Sequence, residues 1–139
     1  MAATPSEKEL AKQLQNVPLF SQTTNKQRAT LAKLGKVVTW REGSTPISEG
    51  SKGAAFFLIL EGSVEVSRGG TSLARLGDGD FVGEVALLTN QPRNADVSAL
   101  AKTTVFAFGR PALAAALKTD PGLGLALLEA MATRQQATQ

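Results

Sequence analysis

Residues 81–97 read Phe81-Val82-Gly83-Glu84-Val85-Ala86-Leu87-Leu88-Thr89-Asn90-Gln91-Pro92-Arg93-Asn94-Ala95-Asp96-Val97. Gly83-Glu84 opens a short apolar segment after a turn, and Arg93 stands nine positions beyond Glu84, directly after Pro92. A carboxylate and a guanidinium on one short loop, among residues otherwise suited to a core, need a physical reason. Gly83 lets backbone N–H groups approach a ligand closely. Residues 84–88 suit one helical turn, whose free N–H groups and partial positive end favour an anion. Arg93 can grip a phosphate through two parallel hydrogen bonds, and the Glu84 carboxylate can accept from a hydroxyl. One reading is a small ligand that offers both a phosphate and a hydroxyl. The other is an internal Glu84–Arg93 salt bridge that closes the loop, and spacing alone does not separate the two.

Upstream of this stretch the chain is punctuated by glycine. Val37 to Trp40 predicts a strand, Ile47 sits alone between turn signals, and residues 49–53 form a turn. The continuous apolar run from Ala55 to Leu60 predicts a strand buried on both faces. Val64 and Val66 alternate with Glu65 and Ser67, as in a half-exposed strand, and Arg68-Gly69-Gly70-Thr71 reads as a hairpin loop. Leu73 and Leu76 belong to a return strand, and Gly77-Asp78-Gly79-Asp80 turns the chain into residue 81. Downstream, residues 97–100 and 105–108 read as the last strands. Many short strands separated by glycine turns imply an all-β barrel, sandwich or jelly roll.

Helices flank this β region. Ser6-Glu7-Lys8-Glu9 and Thr24-Asn25-Lys26-Gln27 both have the form of a capping box, followed by Leu10 and Leu14 in one case and Leu31 and Leu34 in the other. Pro111 suits a first helical position, and Asp120-Pro121-Gly122 separates that helix from a last one carrying Leu123, Leu127, Leu128 and Met131.

Composition narrows the function classes. The chain has 139 residues, 42% hydrophobic and 19% charged, which suits one globular domain. Cysteine and histidine are both absent. That removes disulfides, thiolate nucleophiles, the commonest general base and the commonest metal ligand; carboxylates or lysine could still serve an enzyme, but neither an enzyme nor a metal site is the expectation. The net charge of +3 is spread along the chain and reads as solvated faces rather than a nucleic-acid footprint. Tyrosine is absent and Trp40 is the single tryptophan, which leaves no stacking platform for single strands. The first residues have no apolar signal core, and the longest apolar run, residues 54–60, is too short to cross a bilayer. A cytoplasmic location is expected. The glycines at 69–70 and 77–79 match no phosphate-loop pattern, and Asp78 and Asp80 lack the flanking ligands of a calcium loop, so both read as turns.

Residues 81–97 resemble the phosphate-binding cassette of the cyclic-nucleotide-binding domain family. The resemblance rests on Phe81, on Gly83-Glu84-Val85-Ala86-Leu87-Leu88, and on Pro92-Arg93-Asn94-Ala95-Asp96-Val97 after the variable Thr89-Asn90-Gln91. Val82 between Phe81 and Gly83 resembles bacterial members. The resemblance implies a mainly β fold with flanking helices: an eight-stranded, jelly-roll-like β-roll, N-terminal helices and a C-terminal lid helix. It spreads over one domain, residues 1–139, with N-terminal helices at about 6–35, the roll at about 36–108 and C-terminal helices at about 111–137. It also implies roles. Arg93 binds the cyclic phosphate, with Asn94, Ala95 and the backbone at Gly83 and Val85 completing the cradle, and Glu84 binds the ribose 2′-hydroxyl. Arg134 and Thr138 on the lid are the candidates for touching the base. The ligand is cAMP ahead of cGMP, with no further cofactor. The partner is an effector protein or a fused effector domain, with no direct nucleic-acid binding and no membrane segment.

Two positions depart from the family pattern. Asn94 stands where a small residue is common, and Asp96 replaces a residue that is often threonine. A carboxylate facing a phosphate would repel it, so Asp96 is expected to point outward along the strand alternation. Three rivals remain: a degenerate module used for protein interaction or dimerisation, a cupin-type metalloenzyme, and a transcription regulator with a helix-turn-helix domain. The absence of histidine disfavours the second. The third needs residues beyond the last helix.

Overall fold

The structure, a computed structural model, describes residues 5–15, 17, 20, 23–53, 55–83, 89 and 91–137, and for residues 130, 131 and 133–137 the backbone alone. Among these residues the glycine-punctuated runs become seven strands: β1 Lys36–Trp40, β2 Ala55–Glu61, β3 Ser63–Arg68, β4 Thr71–Gly77, β5 Phe81–Val82, β6 Asp96–Ala99 and β7 Thr103–Gly109. They form two sheets, in the orders β1-β7-β2-β5 and β4-β3-β6. The pairings of β2 with β5 and β7, and of β3 with β4 and β6, are antiparallel. Ile47 forms an isolated antiparallel bridge to Val97, with Val97 N–H donating to the Ile47 carbonyl at 2.8 Å. An eighth extended segment thus stands beside β6, reduced to a single bridge. The mainly β, jelly-roll-like architecture with flanking helices is as expected.

Side-chain alternation explains why both sheets are needed. Trp40, Ile47, Ile59, Val64, Val82, Val97, Ala99 and Val105 form one buried cluster drawn from both sheets. Trp40 meets Phe57 edge-on, ring centroids 5.0 Å apart. The neighbouring positions of β2 and β7 point the other way, and Phe56, Leu58, Phe106 and Phe108 are buried there too. Phe56 packs edge-on against Phe81 and Phe108, at 6.1 and 5.6 Å. The continuous apolar run of β2 is therefore buried on both faces, as its composition predicts. β4 is an edge strand, and its Leu73 is exposed.

The chain divides into two compact units, Val37–Arg110 and Met1–Lys36 together with Pro111–Gln139. The second contains the helices: α1 Glu7–Leu14, α2 Asn25–Leu34, α3 Arg110–Thr119 and α4 Pro121–Ala137. Both capping boxes form, with Ser6 and Glu9 on α1 and Thr24 and Gln27 on α2 each satisfying the other's backbone N–H. Asp120 stops α3 and starts α4, accepting from Leu123 N–H at 3.1 Å and from the Gln27 amide at 3.4 Å. Leu10, Leu14, Leu31, Leu113, Leu123 and Leu127 are buried. A Cβ on Gly124 would fall 2.2 Å from Leu117 Cδ2, so the packing of α3 against α4 leaves no room for a side chain at that glycine. Among the described residues no helix is long and apolar enough to cross a membrane.

Candidate functional site

Three segments of the β unit converge on one side chain, Arg93. Its residue is 8% exposed, unusual for an arginine. The backbone of Arg93 is held first. Arg93 N–H donates to the Ser51 carbonyl at 2.9 Å, and Gly50 N–H donates back to the Arg93 carbonyl at 2.8 Å. The guanidinium then runs between two glycines. An added Cβ at Gly53 would fall 3.0 Å from Nη2, and one at Gly83 would fall 2.6 Å from Nη1 and 2.8 Å from the Ala55 carbonyl oxygen. Gly83 has φ +88°, a left-handed backbone that side chains rarely adopt. Nη1 reaches the Gly83 carbonyl at 3.4 Å, and Cζ lies 5.9 Å from the centre of the Phe57 ring.

The electrostatics follow from this packing. Burial pushes the Arg93 guanidinium's pKa below its ordinary value. Among the described residues the ion pair is Glu65 with Arg75, at 3.7 Å, and no carboxylate reaches Arg93. A carbonyl dipole and an aromatic face partly solvate a cation but do not neutralise it. The Ala95 N–H, on a residue that is 6% exposed, finds no acceptor among the described residues. A buried guanidinium with no carboxylate partner among the described residues can receive an anion.

Of the expected site residues, Gly83, Arg93, Asn94 and Ala95 are described, and the fold brings Gly83 to the Arg93 guanidinium. Asn94 exposes its side chain, while its carbonyl accepts from Arg68 Nε at 2.7 Å. Asp96 Oδ1 accepts from Glu49 N–H at 2.6 Å. Glu84, Val85 and Thr138 lie outside the described residues, and of Arg134 the backbone on α4 is described. Asp78 and Asp80 serve turns, accepting from Gly62 and Gly77 N–H, both at 2.9 Å. Among the described residues no cluster of acidic side chains could hold a metal ion.

Sequence reasoning missed Gly53, Phe57 and Arg68 as neighbours of the site. Gly53 and Arg68 carry ordinary turn chemistry, and Phe57 lies inside an apolar run. Each meets residues 93–94 through pairings far apart in sequence. The residue types had no local reason to signal it.

Comparison with known proteins agrees with this fold. A sequence profile described as the cyclic nucleotide-binding domain matches residues 37–120. The chain is 31% identical to the N-terminal domain of a transcriptional regulator from Streptomyces coelicolor A3(2), with a TM-score of 0.78, covering 89% of this chain and 90% of that one. It is 38% identical over 94 residues to a cAMP-dependent protein kinase regulatory subunit of Mycosarcoma maydis, covering 65% of this chain and 18% of the relative. A regulatory subunit of a cAMP-independent protein kinase A from Trypanosoma brucei superposes with a TM-score of 0.81 at 25% identity, covering 94% of this chain and 47% of that one. The chain thus spans about a fifth of the length of the first curated relatives it matches. With a profile match over more than half its length and the matching β fold, the chain belongs to the cyclic nucleotide-binding domain family.

Proposed function

We propose that this chain is a sensor module that binds a cyclic mononucleotide, cAMP ahead of cGMP, and passes the binding event on without chemistry of its own. The observation that carries the reading is the buried Arg93 guanidinium, which lacks a carboxylate partner among the described residues. A cyclic phosphate would supply the missing negative charge and accept parallel hydrogen bonds from the fork. The Ala95 N–H, which finds no acceptor among the described residues, and the backbone at Gly83 and Val85 would complete the cradle, with Asn94 at its rim. Glu84 would accept from the ribose 2′-hydroxyl. The preference for cAMP rests on its relatives, several of which are named as cAMP-dependent regulatory subunits. The lack of histidine and cysteine supports binding without catalysis.

The output in this reading is a population shift. Nucleotide in the cassette favours a state in which α4 closes over the base, with Arg134 and Thr138 as the base contacts. The shift can be no larger than the nucleotide's differential affinity for that state. The receiver is an effector protein or an effector domain on the same polypeptide, in a cytoplasmic setting.

Calorimetric titration with cAMP and with cGMP tests the reading. Saturable heat with both, tighter for cAMP, is expected. Glu84→Ala should weaken binding by about 1–3 kcal/mol, the size of a lost charged hydrogen bond. No heat with either nucleotide up to millimolar concentration would overturn the proposal. It would favour the second reading, a module that keeps the fold as a protein-interaction surface. That alternative is motivated by the Trypanosoma brucei regulatory subunit, whose kinase is described as cAMP-independent.

A further inference from the structure

The segment carrying Arg93 is laced to residues 47–51 like a short antiparallel ladder, and one rung is not made by main chain. Ile47 pairs with Val97 at one end. Arg93 N–H donates to the Ser51 carbonyl at the other. In that register Glu49 stands opposite Ala95, and an unbroken ladder would exchange N–H···O bonds between them. Instead Glu49 N–H donates to Asp96 Oδ1 at 2.6 Å, and Ala95 N–H donates to nothing among the described residues. A buried N–H left unpaired is unfavourable and calls for a cause. Asp96, the first residue of β6, supplies one by capturing the donor that would otherwise hold Glu49 and Ala95 together.

We propose that Asp96 is a positioning residue: its carboxylate takes the Glu49 N–H, holds the middle rung open, and keeps the Ala95 N–H free for the ligand's anionic group. This rests on the reading of the Arg93 pocket as a phosphate site. It also explains how an acidic side chain is tolerated so close to an anion. The oxygen that would repel the phosphate is engaged by a backbone donor, the Glu49 N–H.

The test uses the full chain with Asp96→Ala and Asp96→Asn, read by amide hydrogen exchange and by cAMP titration. In Asp96→Ala the main-chain rung should close. The Ala95 amide should then exchange about tenfold more slowly without ligand, and cAMP should bind about tenfold more weakly, the scale of one charge-assisted hydrogen bond. In Asp96→Asn the amide oxygen can still accept from Glu49, so fast Ala95 exchange should return and affinity should recover to within about threefold of wild type. The proposal is overturned if Ala95 exchange in Asp96→Ala matches wild type, or if Asp96→Asn is as impaired as Asp96→Ala. Failure of the wild type to bind cAMP or cGMP would remove the phosphate reading, while Ala95 exchange would still decide whether Asp96 opens the rung.

Discussion

At the scale of one residue, the role proposed for Arg93 sets function against stability. Its lowered pKa means that the charged form is disfavoured in the folded chain. The charge therefore opposes folding at any pH where the unfolded arginine is protonated. Arg93→Met keeps much of the apolar stem and removes the charge. It should leave the thermal midpoint of the ligand-free protein at or above wild type, and weaken cAMP binding by about 2–5 kcal/mol, the usual loss when one partner of a buried charge pair is truncated. A lower ligand-free midpoint together with unchanged affinity would make Arg93 structural instead. Gly83→Ala acts differently. Its φ is left-handed, and the new Cβ would press on both the guanidinium and the Ala55 carbonyl. A loss of about 1–3 kcal/mol in urea unfolding is expected from the strain, with a parallel loss of cAMP affinity.

Elements follow local chemistry wherever the chemistry is local. The capping boxes at Ser6 and Thr24 were legible because all their partners lie within four residues. Thr24→Ala should destabilise the protein by about 1 kcal/mol in urea unfolding, as for other lost N-caps. Strand β5 was not legible: two residues carry no period, and Phe81-Val82 is a strand because β2 offers it an edge. Ile47 is a similar case, placed by its bridge to Val97. The turn between β2 and β3 was legible from Gly62, but its need for glycine was not. An added Cβ there would meet Thr103 Cα at 2.7 Å and its hydroxyl at 2.5 Å, on a backbone with φ +131°. Gly62→Ala should therefore cost about 1–3 kcal/mol in urea unfolding, whereas the open Gly69 and Gly70 of the hairpin loop have no neighbour within 4 Å.

For the whole molecule, the two compact units give the proposed signal a physical test. A ligand that binds the folded chain stabilises it by mass action, about 2.7 kcal/mol at a hundredfold excess over Kd. Saturating cAMP should raise the thermal midpoint accordingly. If α4 closes on the nucleotide, its amides should also gain protection in hydrogen exchange. The same experiment on Arg93→Met should show neither change. A midpoint shift without protection of α4 would keep the ligand and discard the lid.

What the sequence by itself determined is the longer strands, the capped helices and the class of fold, because apolar periodicity, capping boxes and glycine turns act over a few residues; the cassette around Arg93 was marked by its resemblance to a family pattern. It also placed Asp96 as an unusual residue. Only the tertiary structure decided which neighbours enclose the guanidinium and where the Asp96 carboxylate goes. Those outcomes depend on residues 47–57 meeting residues 83 and 93–97, and such meetings are set by sheet register and burial, which no local pattern carries.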